Sequence, residues 1–282
     1  MNIMRKTILL CAICTISMFA SAQLLEIVST QQLKTPQNEE MKVAGFSPKG
    51  DYVLLTNDVN KGLLHYDLAT DNVTTITEAD GAGWAVKIST DGTNIVYRER
   101  YMNDDMTLRN NIVKYTIKAQ KRAMIAKGQR DLSKLVPANQ ANNVAINGDL
   151  HIVLTLNGKS TILTPNGADD AYNWASISPD GTKILYYVSG KGCYTCDLNG
   201  KNVHYIALDC RAPQWYNDNI IIGMHDEDNG KYLTASAIVA YDMQGKKQIL
   251  INKEMMAIYP YAANGQIAFS TAAGKVYVMN VK

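Results

Sequence analysis

Apolar residues along this chain cluster in short β-branched and aromatic runs, broken at close intervals by Gly, Asn, Asp and Pro, with no sustained helical spacing after the first two dozen residues. Three of the runs follow one turn phrase. It reads Phe46-Ser47-Pro48-Lys49-Gly50-Asp51, Ile88-Ser89-Thr90-Asp91-Gly92-Thr93 and Ile177-Ser178-Pro179-Asp180-Gly181-Thr182. The strands it predicts are Tyr52-Val53-Leu54-Leu55, Ile95-Val96-Tyr97 and Ile184-Leu185-Tyr186-Tyr187. Weaker copies stand at Asn147-Gly148, Asn217-Asp218-Asn219 and Asn264-Gly265, each also followed by an apolar run. Pro sets φ at the second turn position, Asp caps the local backbone, and Gly supplies positive φ, so the phrase is a hairpin device.

Gly50 and Gly265 lie 215 residues apart, so six copies recur at a mean period of 43, and a period near 40–45 with several strands per repeat marks a β-propeller. A second phrase follows each first one, as in Leu64-His65-Tyr66-Asp67-Leu68, Tyr194-Thr195-Cys196-Asp197-Leu198 and Val239-Ala240-Tyr241-Asp242-Met243. A further outer strand then completes a four-stranded blade, for example Val73-Thr74-Thr75-Ile76. The last repeat stops after its third strand, Lys275–Val281, and Leu24-Leu25-Glu26-Ile27-Val28 is the strand available to complete it. Joining first strand to last removes two sheet edges. The fold predicted is all-β: one six-bladed propeller over 23–282, its four-stranded antiparallel blades closed into a ring by the N-terminal strand.

The first residues change the picture of where such a propeller works. Arg5 and Lys6 precede an apolar run from Ile8 to Phe19 and then Ala20-Ser21-Ala22, the pattern of a secretory signal peptide over 1–22 with cleavage after Ala22. No later segment is apolar for long enough to span a bilayer. Removing the signal takes two cations from 28 and leaves 26 against 26 acidic residues, so no basic footprint for nucleic acid remains. The expectation is a periplasmic or secreted monomer. Cys193, Cys196 and Cys210 remain in the mature chain. Cys193 and Cys196 on one strand would face opposite ways and not bond to each other, while a bridge from either to Cys210 stays open.

The Phe-Ser-Pro-x-Gly phrase, the β-run and the later Tyr-Asp-Leu resemble the TolB-like, WD-like propeller repeat of exported bacterial proteins across nearly the whole mature chain. The resemblance is to the propeller alone, because TolB carries a further α/β domain ahead of it. It implies a cell-envelope setting and brings no functional residue with it.

Candidate chemistry is sparse. His65, His151, His204 and His225 fall in different repeats with no HxH or HExxH pair. His225-Asp226-Glu227-Asp228-Asn229-Gly230, expected in a loop of the fifth blade, is oxygen-rich. Calcium is the one ion it suggests, yet Gly230 and Ala237 stand where an EF-type loop needs ligands. No nucleophile elbow, P-loop or dinucleotide motif occurs, so neither a catalytic residue nor a cofactor is assigned. Trp84, Trp174 and Trp215 each fall near the start of an innermost strand, either exposed at the channel mouth or packed between blades. With Tyr101 and Asp105 of one loop, Asp226 of another and Arg211, the first two tryptophans form the candidate rim site. The function expected is recognition of a protein or glycan partner in the cell envelope. The alternative is a lactonase- or lyase-like enzyme with a metal or carboxylates at the channel.

Overall fold

The computed structural model describes residues 23–36, 39–132, 134–138 and 142–282. The expected signal peptide and its cleavage site lie outside these residues. The described chain is an all-β propeller of six sheets. After β1 (Ile27–Gln32), blade 1 holds β2 (Lys42–Phe46), β3 (Tyr52–Thr56), β4 (Leu63–Asp67) and β5 (Val73–Thr77). Blade 2 holds β6 (Lys87–Ile88), β7 (Asn94–Met102), β8 (Leu108–Thr116) and β9 (Lys121–Gln129). Blade 3 holds β10 (Asn142–Ile146), β11 (Ile152–Leu156) and β12 (Lys159–Leu163). Blade 4 runs through β13 (Tyr172–Ile177), β14 (Lys183–Val188), β15 (Gly192–Asp197) and β16 (His204–Ala207). Blade 5 has β17 (Arg211–Asn217), β18 (Ile220–Asp228), β19 (Leu233–Asp242) and β20 (Lys247–Ile251). Blade 6 has β21 (Ala257–Ala263), β22 (Gln266–Thr271) and β23 (Val276–Val281).

The ring closes as the sequence predicts, with β1 antiparallel to β23 in register Thr30↔Met279 and Gln32↔Tyr277. The paired segment begins three residues later than the expected Leu24, because Leu24 and Leu25 are held by the Gln248 side chain instead. Blade 3 departs from the four-stranded pattern. Among the described residues it has three strands, since the chain passes from β12 through the turn-rich segment 164–171 directly to β13.

The repeated phrase explains the hairpins at the base of blades 2 and 4. The Ser89 and Ser178 hydroxyls donate to Asp91 and Asp180 at 2.5 and 2.6 Å. Backbone N–H groups of Thr93 and Thr182 add bonds of 3.0 and 2.9 Å. Those serine hydroxyls first, then the backbone donors, hold both carboxyls down at about 2.

Apolar residues fill the wedges between neighbouring blades. Tyr52, Leu54 and Leu63 meet Ile95 and Tyr97 between blades 1 and 2. Tyr172, Ile184 and Tyr186 meet Val144, Ile152 and Leu154 between blades 3 and 4. The wedge after blade 2 is thinner, built from Val96 and Ile112 with Leu135 of the connecting loop. Cys193 and Cys210 are fully buried free thiols in the wedge of blades 4 and 5, and burial first, then the neighbouring Cys210, pushes the Cys193 thiol well above its ordinary range. Cys196, on the opposite sheet face, packs toward blade 3.

Candidate functional site

Each innermost strand starts at the end of the ring where the second and third strands of its blade turn. That end therefore collects the strand starts, the upper hairpins and the loops between blades. In blade 2, β7 and β8 are nine residues each, and in blade 5, β18 and β19 are nine and ten, against five or six elsewhere. The ladder continues past the innermost strand in both cases. About four extra residues at ~3.3 Å each raise these hairpins roughly 13 Å above the rim. Second and fifth of six, they stand across the channel mouth from one another.

The innermost strands of blades 4, 5 and 6 are bulged. In β13, β17 and β21 the register shifts between Asn173 and Ser176, Arg211 and Gln214, and Ile258 and Tyr261. The first bulge residue takes a left-handed backbone: Trp174 at φ 51, Ala212 at φ 47 and Tyr259 at φ 51, with Ala85 at φ 58 just ahead of β6. A non-glycine residue in this region costs on the order of 1–2 kcal/mol, and for a bulky aromatic it is uncommon. The bulges present Trp174 and Tyr259 to one shared cavity, with Ala85 beside them.

A cavity of about 240 Å³ results, lined by Trp84, Trp174, Tyr259, Tyr261, Lys42 and Asn60. Trp84 is 53% exposed, Tyr259 40% and Trp174 36%. Trp174 is braced edge-on by Tyr187, with centroids 5.5 Å apart, and carries the Arg211 guanidinium 5.8 Å from its own ring centroid. Burial pushes the Lys42 ammonium below its ordinary range against the opposing pull of Asp58, and its Nζ donates to the Asp58 carbonyl at 2.6 Å. Burial raises the Tyr261 phenol to about 12, so it stays protonated at neutral pH. A wider cavity of about 600 Å³ on the flank of blade 1, lined by Thr56, Thr75, Thr77 and Glu78, holds no aromatic ring.

Trp84 owes its place to a tight loop. Its N–H donates to the Gly81 carbonyl at 3.1 Å, and the Gly83 N–H donates to the Asn60 carbonyl at 3.1 Å. A Cβ on Gly83 would fall 2.2 Å from the Thr56 hydroxyl oxygen, so only glycine lets the loop lie this close to blade 1.

The six rim residues expected from sequence separate into three groups. Trp84 and Trp174 share the cavity. Arg211 and Asp226 form an ion pair beside Trp174, with the Asp226 carboxylate 6% exposed, and both line a shallower cavity with Lys231 and Tyr232. Tyr101 and Asp105 belong to the raised hairpin of blade 2. The Tyr101 hydroxyl reaches toward Gly128 on the outer strand, and Asp105 accepts from Thr107 and pairs with Arg109 at 3.6 Å.

The acidic stretch expected as a loop extends the blade 5 ladder, with His225↔Ala237, Asp226↔Ser236 and Glu227↔Ala235, and only Asn229–Tyr232 turns. Small partners on β19 allow the sheet to continue there. Trp215 takes the other outcome open to the tryptophans: at 8% exposure it packs among Leu185, Ile221 and Val239, its indole N–H directed to the Ser176 carbonyl at 3.4 Å. Tyr259 and Tyr261 escape the sequence reading. The one signal is that Tyr259 precedes the Asn264-Gly265 turn at nearly the distance by which Trp174 precedes its own.

Among the described residues, no three His, Cys, Asp or Glu side chains converge as metal ligands, and no helix is long and apolar enough to cross a membrane. No family model matches the sequence, and no curated protein matches it. Solved structures do match. A putative TolB from Agrobacterium tumefaciens is 13% identical, with 86% of this chain and 90% of that one covered at a TM-score of 0.53. An oligogalacturonate lyase in complex with manganese is 14% identical, covering 84% and 76% at 0.51. The Swd1 β-propeller domain of Myceliophteria thermophila is 10% identical, covering 90% and 100% at 0.50. Likeness at this identity reaches the architecture and stops there: the chain is a six-bladed β-propeller, similar in fold to a lyase, a putative TolB and an Swd1 domain alike.

Proposed function

We propose that this chain is an exported, non-enzymatic binding propeller that seats a sugar ring of a cell-envelope glycan in the aromatic cavity at its channel mouth. One observation carries the reading. Trp174 and Tyr259 are both presented from left-handed backbone into a concave space of about 240 Å³, with Trp84 completing the walls. Backbone strain of this kind persists where the surrounding structure imposes it, and it concentrates at ligand sites. Exposed aromatic faces stack on the apolar face of a pyranose, and Lys42 and Asn60 supply donors for its hydroxyls. The pattern of residues 1–22 supports export, to the periplasm or beyond, and the propeller is proposed to act as a monomer.

Glycan-array screening followed by calorimetry tests this. Trp174→Gly and Tyr259→Gly are each expected to weaken the bound glycan by about tenfold or more. Glycine also relieves the positive φ, by ~1 kcal/mol, which offsets part of the packing each ring loses, so the melting midpoint should fall by only a few °C while binding weakens. Wild-type protein that binds no glycan on the array but holds a protein partner through the same rim would replace the glycan by a polypeptide.

The enzyme reading requires ligands that converge on the channel. Elemental analysis and melting with and without chelator address it directly. The midpoint is expected to move by less than ~1 °C, because a metal bound only to the folded state would raise it by mass action. A stoichiometric metal with a chelator-sensitive midpoint would restore the enzyme.

A further inference from the structure

We infer that Arg98 and Arg100, packed against the loop that carries Trp84, form an oxyanion subsite, so that the ring held by Trp84, Trp174 and Tyr259 carries a carboxylate or sulfate group. This deepens the glycan reading and rests on it.

The argument starts from β7, where the two arginines follow Val96 at alternate positions. Alternate residues share one sheet face, so both arginines lie on the face that turns Val96 into the wedge after blade 2, where β7 runs on into the raised hairpin. Lys87, paired with Val96 across β6 and β7, lies on that face too. The loop ahead of β6 wraps them: the Arg100 N–H donates to the Asp80 carbonyl at 2.8 Å. A Cβ on Gly81 would lie 3.1 Å from Arg98 Nε and 3.2 Å from Arg100 Cβ.

One oxygen then joins this cluster to the cavity. The Gly81 carbonyl accepts from Arg98 Nε at 3.1 Å and from the Trp84 N–H at 3.1 Å. The guanidinium and the backbone that carries the indole are therefore fixed on a common atom.

The charges on this face are uncompensated. Among the described residues, neither Arg98, Arg100 nor Lys87 is ion-paired to a carboxylate. The acids nearest in sequence are engaged elsewhere, Glu99 by Arg122 and Thr77, and Asp80 by Lys61 at 4.0 Å. Arg98 is half-buried and, among the described residues, spends its Nε donor on Gly81 and no Nη donor, and paired Nη donors fit a carboxylate or sulfate side-on. Burial first, and Arg100 second, lower the Arg98 pKa, and burial lowers that of Lys87. Two like charges held together and partly dried are the arrangement an anion relieves.

The test uses the mature protein with three probes of matched length: a uronic-acid oligosaccharide, its methyl ester, and a sulfated neutral oligosaccharide. Calorimetry and tryptophan emission report binding. An acidic form is expected to bind at least ~10-fold tighter than the uncharged ester. That preference should fall as salt rises and disappear in Arg98→Gln and in Arg100→Gln, the latter an exposed side chain whose removal leaves the packing intact. Preference for the uronate over the sulfate, or the reverse, identifies the anion.

Equal binding of acid and ester, with both lost in Trp174→Gly, would overturn the oxyanion subsite while leaving the aromatic site standing. Binding of none of the three probes would sink both. Acid preference retained in both arginine variants would place the anion elsewhere and likewise overturn the inference.

Discussion

Removal of residues 24–33 is expected to leave a protein that melts at least ~10 °C lower or fails to fold as a monomer. Those residues bury little of their own strand, since every position of β1 is exposed. What they supply is closure. Glu26 and Lys282 exchange backbone hydrogen bonds of 2.7 and 3.0 Å, and Leu33 donates to Val276 at 2.9 Å. Gln248 of blade 5 reaches Leu24 and Leu25. Leu25 and Leu33, each 3% exposed, enter two different wedges, one between blades 5 and 6 and the other between blades 6 and 1.

Losing both side chains from the core costs about 1.5–3 kcal/mol each, and the freed edge of β23 becomes a template for another chain. Against a total of ~5–15 kcal/mol that is a large fraction, and size-exclusion chromatography with thermal melting reads both effects. If the deletion yields no soluble protein, Leu25→Ala and Leu33→Ala report separately, at ~2–4 kcal/mol apiece. A truncated monomer with the wild-type midpoint would show that the ring closes without β1.

Gly83→Ala is the second substitution of large effect. The new Cβ would overlap the Thr56 side chain, 2.2 Å from Oγ1 and 2.3 Å from Cβ. Thr56 has nowhere to turn, being 1% exposed with its hydroxyl donating to the Gly62 carbonyl at 2.8 Å. Either blade 1 or the loop must move, at ~2–3 kcal/mol by comparison with overpacked cores, or ~5–10 °C in midpoint.

Movement of the loop also displaces Trp84, so affinity for the cavity's ligand should fall together with stability. Thr56→Gly removes the obstructing atoms. The double variant is expected to be no less stable than Thr56→Gly alone, which is the coupling two touching residues show. Additive losses would mean that the damage arises from something other than this contact.

These effects differ in how far they could be read from the chain alone. The six turns, their period and the strand that closes the ring are written in contiguous residues, because a hairpin such as Ser178–Thr182 is stabilised by atoms a few positions apart. A reader of the sequence therefore reaches the propeller. Blade 3 shows the limit of this, for a weaker turn phrase accompanies a blade of three described strands.

The candidate site was legible in part. An aromatic near the start of an innermost strand is visible, but Trp174 and Trp215 look alike on the page. One bulges into the shared cavity at φ 51 and the other packs at 8% exposure. What separates them is where the bulge falls, and that is set by register against the next strand and by neighbours in the adjoining blade.

The sequence by itself thus determined the architecture, because turn chemistry and strand alternation are short-range. The tertiary structure alone decided which rings meet around the cavity, that Arg98 and Trp84 share the Gly81 carbonyl, and that Gly83 admits no side chain. The first depends on atoms brought together by ring closure from Lys42 to Tyr261, the other two on how the loop between blades 1 and 2 packs against both, and no local pattern encodes either.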